Sequence, residues 1–110
     1  MKKDLYGACP FVTTQKILQG KWAILILHYL SDGPVRFNAL QKMVPNMTHA
    51  TLSKQLKQLE AYNLIIRKDY PQIPPKVEYD LSEVGKNFLP VLDSIKDFGN
   101  KYIDYLQTRQ

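Results

Sequence analysis

Cysteine is nearly absent from this sequence: Cys9 stands alone, so no internal disulfide can hold the fold and a hydrophobic core must do so. No Cys-x-x-Cys and no paired histidine spacing occurs, which leaves no recognisable zinc site and no metal to expect. Long apolar runs are missing too. The longest, Trp22 to Leu30, has nine residues including His28, against roughly 20 needed to cross a bilayer. The opening Met1-Lys2-Lys3-Asp4 leads into Leu5-Tyr6-Gly7-Ala8, too short and polar for a secretory segment, so a cytoplasmic protein with no membrane partner is expected. The usual parts of an enzyme are also missing: no carboxylate pair in an apolar setting, no Gly-rich phosphate loop, no Ser/His/Asp set. Catalysis would have to rest on Cys9, which has no nearby base, so neither an enzyme nor a cofactor is expected.

What is present suits one domain over residues 1–110, with 45% apolar residues enough for a single core. The net charge is +5 and unevenly spread: residues 1–77 hold 11 Lys/Arg against 4 Asp/Glu, whereas 78–110 hold 4 against 6. A basic surface of this kind attracts a polyanion, although mild basicity alone is shared by many proteins without a nucleic-acid role.

Punctuation along the chain comes from Gly, Pro and Asn. Pro10 suits a first helical turn, and Val12, Ile17 and Leu18 give that helix an apolar side until Gly20. Lys21–Leu30 is apolar nearly all round and reads as a central buried helix, with Trp22 and His28 packed in the core. Phe37, Leu40 and Val44 mark a short third helix that Pro45-Asn46 ends. Thr48 is a credible N-cap for a fourth helix running to about Tyr62, with Leu52, Leu56 and Leu59 as its apolar stripe. Its other face holds His49, Thr51, Lys54, Gln55, Lys57 and Gln58. Leu64–Tyr70 and Lys76–Leu81 then read as a two-stranded hairpin with a stiff, Pro-rich tip. Ser82 can cap a last helix over about 83–107, whose stripe Phe88, Val91, Leu92, Ile95, Phe98, Tyr102 and Leu106 is too long for one small core to cover. A second copy of the chain is the natural cover.

That order of elements is mainly α with a small β-hairpin wing, the winged helix-turn-helix arrangement within the α+β class. The helix from Thr48 would enter a major groove of double-stranded DNA. Lys54 and Lys57 can reach phosphates or guanine edges, Gln55 can offer its amide to adenine, and Thr48, His49 and Thr51 can bond backbone or bases. Arg67, Lys68 and Lys76 on the hairpin can meet flanking phosphates or the minor groove. A polar helix face is usually only a solvated face, but no Asp or Glu occurs from Thr48 to Leu59, a composition suited to lie against phosphate.

Longer motifs add a family. Cys9-Pro10, Gly20-Lys21-Trp22-Ala23-Ile24-Leu25-Ile26-Leu27, Gly33-Pro34-Val35-Arg36-Phe37-Asn38-Ala39-Leu40, Leu52-Ser53-Lys54-Gln55-Leu56-Lys57-Gln58-Leu59-Glu60 and Pro75 through Gly85 together resemble the HxlR branch of the MarR-like winged-helix regulators, over about residues 9–99. The resemblance implies a transcriptional repressor or activator, homodimeric on a near-palindromic operator, joined through the N-terminal segment that includes Phe11 and through the last helix. It also implies DNA-facing positions for Arg36, Thr48, Thr51, Lys54 and Gln55. Where many family members have Pro and then Arg after the N-cap, this chain has His49 and Ala50, so the operator cannot be borrowed from relatives.

In several members of that family a cysteine at the place of Cys9 senses oxidants or electrophiles. A helix starting just after Cys9, with Lys2 and Lys3 close in sequence, would favour the thiolate that reactivity needs. The alternative is a small apolar residue at the dimer contact. A cleft between the dimer-forming helices, near Tyr6, Tyr102 or Tyr105, could hold an aromatic small-molecule effector, though such stripes are more often packing. A winged-helix module for protein contact remains the competing function, and RNA binding is disfavoured because the hairpin offers no aromatic platform.

Overall fold

The structure, a computed structural model, describes residues 4–44 and 46–109. Helix α1 spans Pro10–Ile17, with Pro10 in its first turn where a missing N–H is harmless. It buries none of its residues fully, and its C-cap is Leu18, short of the expected Gly20. Helix α2, Ala23–Tyr29, supplies the middle of the core through Ala23, Ile26 and Leu27, with Leu30 just beyond its end. These four share one side at 100° per residue, so Ile24 and His28 fall on the other and are exposed. His28 is therefore a surface residue, not the packed core histidine expected from an all-round apolar helix. Trp22 packs half-buried against the core edge.

Two residues, Val35–Arg36, form strand β1 before helix α3, Phe37–Met43. Helix α4 covers His49–Ala61, strand β2 Ile65–Tyr70 and strand β3 Lys76–Leu81. The sheet is antiparallel in the order β1-β3-β2, with Val35 opposite Tyr79 and Arg67 opposite Tyr79 on the far side. The expected two-stranded wing is thus a hairpin with a third strand along its inner edge. On β3, Tyr79 and Leu81 point into the core while the alternate residues face out, as a period of two requires.

The last helix starts later than position 83. Ser82 does not cap it: the Ser82 Oγ accepts the Gly85 N–H at 2.9 Å in the turn before a 3₁₀ segment over Gly85–Phe88, whose N-cap is Val84. Helix α5 follows over Leu89–Thr108, with Pro90 in its first turn. A Cβ on Gly85 would lie 2.0 Å from the Leu64 carbonyl oxygen, so only glycine lets this turn sit against the start of β2. The core joins α2, Leu40 and Val44, the inner face of α4, and the base of the hairpin; α5 leaves it, with no residue fully buried. No described helix is long and apolar enough to cross a membrane.

Candidate nucleic-acid interface

Helix α4 is bounded at both ends by local chemistry that the sequence dictates. Thr48, in an extended conformation (φ −73°, ψ 159°), accepts the Thr51 N–H on its hydroxyl oxygen at 3.1 Å, satisfying one of the first-turn donors. Its own O–H lies 2.9 Å from the Thr51 hydroxyl, whose proton stays free to donate outward. At the far end Asn63 adopts a left-handed φ of 58°, and Leu64 and Asn63 donate their N–H groups to the carbonyls of Leu59 and Glu60. That is the Schellman closure, which ends the helix with its carbonyls satisfied. Gln41 of α3 donates its amide to the Met47 carbonyl, clasping the turn that leads into α4. No spacing rule singled out Gln41, because a lone glutamine on a short helix carries no periodic signal. Pro45, expected in this turn, lies outside the described residues.

With Leu52, Leu56 and Leu59 buried, the helix turns a ridge centred on Ala50, Lys54, Lys57 and Ala61 to solvent. His49 and Ser53 flank it on the side of the wing, Thr51 and Gln58 on the other. His49 rests on Phe37 with ring centroids 4.6 Å apart, which fixes the imidazole at the helix start. Ser53 belongs to the same face one turn after His49, a placement the helical period contains but the sequence reading passed over.

Gln55 does not share this ridge. It is 5% exposed, and its Nε2 donates to the Gln19 carbonyl at 2.9 Å, tying α4 to the turn between α1 and α2. The neighbouring Gly20, at φ +104°, leaves room for it: a Cβ there would stand 2.0 Å from Gln55 Oε1. The amide expected to read adenine is thus spent inside the protein, because its position on the helix lies beside Leu59 at the edge of the leucine stripe.

Between the outer side of α4 and the wing runs a cleft of about 410 Å³. Arg36, His49, Lys57, Arg67 and Lys76 line it, together with Phe37, Asn38, Ser53 and the Tyr79 edge, and no carboxylate is among the lining residues. Lys54, Lys57 and Lys68 are exposed and make no ion pair among the described residues. Arg67 is held by Asp69 at 3.1 Å, an exposed pair that water screens. Lys76 is more tightly engaged: its Nζ lies 3.2 Å from Glu78 Oε2 and 4.5 Å from the centre of the Tyr70 ring, while the Tyr70 O–H donates to Glu78 Oε1 at 3.0 Å. The Lys76 hydrogen bond holds the Glu78 carboxyl below its ordinary range, with help from Tyr70 and the Arg36 charge against partial desolvation. Accepting that bond from Tyr70 in turn pushes the phenol up.

A supporting helix, a turn, a capped helix whose outward ridge carries Lys54 and Lys57, and a β-hairpin wing form a winged helix-turn-helix. Residues 17–107 match the family described as HxlR-like helix-turn-helix. The chain belongs to that family. Over 101 residues it is 45% identical to the HTH-type transcriptional regulator YdeP of Bacillus subtilis strain 168, covering 92% of this chain and 79% of YdeP. The redox regulator HypR in its reduced form superposes with a TM-score of 0.84 at 35% identity, covering 91% of this chain and 99% of HypR. A MarR-family regulator from Porphyromonas gingivalis W83 gives 0.81 at 35%, covering 89% and 96%. This HxlR-like chain is accordingly a DNA-binding transcriptional regulator of MarR-like build, and its relatives are regulators, not enzymes.

Two further features of the HxlR-like chain lie at α1 and α5. Cys9 is half-buried as the N-cap of α1, its N–H bonded to the Leu5 carbonyl at 2.8 Å; Lys2 and Lys3, expected near it, lie outside the described residues. Phe11 in the next turn is 84% exposed. Along α5 the expected stripe divides. Phe88 packs on the chain's own core, and Leu92 and Ile95 are half-buried beside a cleft of about 720 Å³ shared with Ile24, Leu25 and His28. Val91, Phe98, Tyr102 and Leu106 are exposed, with Phe98, Tyr102 and Tyr105 stacked in series at 6.2 and 5.4 Å. Tyr6 packs edge-on to Tyr62, at 6.3 Å, at the end of α4.

Proposed function

We propose that this regulator binds a near-palindromic operator as a homodimer, with α4 of each protomer in a major groove and each wing on the flanking backbone. The observation that carries this is the ridge of α4 over Ala50, Lys54, Lys57 and Ala61, with both lysines free and Glu60 as the helix's one acid to its side, standing beside a cleft whose charged lining is basic. His49, Ser53, Thr51 and Gln58 supply hydrogen-bonding groups to base edges, and Thr48 holds the helix start against the sugar-phosphate backbone. Arg36, Arg67 and Lys68 meet phosphates outside the groove. Lys76, bound to Glu78, contributes less.

Exposed Phe11 and the stack Phe98, Tyr102, Tyr105 with Val91 and Leu106 form the dimer contact, since an apolar strip of this extent on a free surface marks an interface. Two-fold symmetry then sets the half-sites about 34 Å apart, one helical turn, or a multiple of it. Selection of bound fragments from a random duplex pool, followed by salt titration of the selected operator, tests the reading. Binding should weaken steeply with salt, and Lys54→Ala should flatten the salt slope by about 1 per half-site. A winged-helix module used for protein contact would show neither effect.

Cys9 is the sensing group of this reading. Placed at the start of α1 beside the dimer contact, it can be oxidised to a sulfenic acid, to a mixed disulfide with a low-molecular-weight thiol, or to a bridge with the partner's Cys9. HypR, a redox regulator, supports the assignment. Peroxide or a quinone should weaken operator binding by the wild type and leave Cys9→Ser unaffected; equal loss in both removes Cys9 as the sensor.

A further inference from the structure

Glu78 stands where the cations of the wing meet. In the sheet it is opposite Arg36 on β1 and Lys68 on β2, and Lys76 two residues before it places Nζ 3.2 Å from its Oε2. Its other oxygen accepts the Tyr70 O–H at 3.0 Å, and the same ammonium rests against the Tyr70 ring. Side-chain exposures of 24% for Lys76 and 17% for Glu78 show a pair sheltered from water, unlike the open Lys54 and Lys57. A phosphate drawn to Lys76 would sit about 3 Å from the ammonium, and so well inside the Debye length of about 8 Å from the Glu78 carboxylate. The attraction of the wing for any backbone phosphate is therefore reduced by a charge built into β3.

Resting on the DNA-binding reading above, we propose that Glu78 is a specificity-determining residue: by holding Lys76 and setting a negative charge among Arg36, Lys68 and Lys76, it suppresses binding to arbitrary duplex DNA more than binding to the operator. The physical reason is that non-specific affinity is essentially all phosphate charge, whereas operator affinity also draws on base contacts made by α4. With α4 locked on base edges the wing meets one fixed set of phosphates, which Arg36, Arg67 and Lys68 reach without Lys76, whereas on arbitrary duplex the orientation is free and a liberated Lys76 adds a phosphate contact.

The test uses the full chain, a random-sequence duplex and the selected operator, with binding followed by fluorescence anisotropy between about 50 and 200 mM KCl. Glu78→Gln should bind the random duplex more tightly at low salt, with a salt slope steeper by about 0.9 per freed Lys76, or nearly 2 for a dimer. Over that fourfold salt range the gain should change by about tenfold, and the operator-to-random ratio should fall. Lys76→Met added to Glu78→Gln should bring the slope back toward that of wild type. Glu78→Asp, which keeps the charge, should stay near wild type, and melting by circular dichroism shows that each variant is folded. Unchanged or weaker random-duplex binding by Glu78→Gln overturns the proposal, as does a slope in the double variant as steep as in Glu78→Gln alone. Equal loss of binding in Glu78→Gln and Glu78→Asp would make the residue purely structural. A wild type with no salt-dependent duplex binding would overturn the DNA-binding reading itself, an outcome separate from these.

Discussion

Gln55 and Gly20 give a test in which stability and recognition move independently. Truncating Gln55 to alanine removes the hydrogen bond to the Gln19 carbonyl, worth about 1 kcal/mol net, and the burial of one methylene at about 0.8 kcal/mol. Rotamer freedom regained by losing the glutamine returns up to about 1.5–2 kcal/mol, and the void beneath Gly20 adds back part of that. The expected cost is about 1 kcal/mol or less, or a fall in Tm of up to about 4–8 °C for a domain of this size. Gly20→Ala should cost more. Its Cβ would stand 2.0 Å from Gln55 Oε1 and 2.7 Å from Cδ, driving the amide off its partner, while the backbone stays at φ +104° with about 1–3 kcal/mol of strain. In the double variant the clash has nothing to meet, so the combined cost should be smaller than the two single costs added, by about 1 kcal/mol. Chemical denaturation followed by circular dichroism reads the stabilities, and fragment selection reads the base preference. A Gln55→Ala protein of unchanged stability but relaxed preference at one base pair would place the amide in the groove and refute the latch. Strict additivity of the two substitutions would refute the contact.

Thr48→Ala removes the cap acceptor for Thr51 and should lower stability by about 1 kcal/mol together with operator affinity, while Thr48→Ser should keep most of both; thermal melts and anisotropy check this. Phe98→Asp or Tyr102→Asp puts a charge into the exposed stack of α5 and should yield monomers in sedimentation equilibrium, with weaker operator binding. Because the folded Glu78 carboxyl titrates below its ordinary 4.5, its contribution to the wing is complete above that pH and fades as the pH falls through the lower folded value. An NMR titration should place the Glu78 midpoint under 4.5, with no corresponding step in Glu78→Gln; a midpoint at or above 4.5 contradicts the Lys76 clamp.

Much of the build of α4 and the wing was legible before any coordinates. Thr48 as N-cap, the leucine stripe of α4 and the alternation of β3 are short-range signals, each decided by neighbours within a turn or a strand. What misled was reading a helix face as two-sided. Gln55 is polar, yet its angular position lies beside Leu59 at the edge of the leucine stripe, and Gly20 supplies the space and Gln19 the acceptor from 36 residues away. His28 failed for the converse reason: a helix apolar nearly all round still has an outer side, and the small core touches only Ala23, Ile26, Leu27 and Leu30. Strand β1, at two residues, is too short for any period to show, and exists only because β3 offers it a free edge.

By itself the chain determined its five α-helices, the hairpin and the sign of charge on α4, since caps, period and composition act locally along the backbone. Only the tertiary structure decided which polar groups remain available. Gln55 is consumed by the turn after α1 and Lys76 by Glu78 and Tyr70, whereas Lys54 and Lys57 are left in water. Both outcomes follow from long-range approach between segments, which brings a partner within bonding distance of one side chain and leaves its neighbour on the same helix or strand without one.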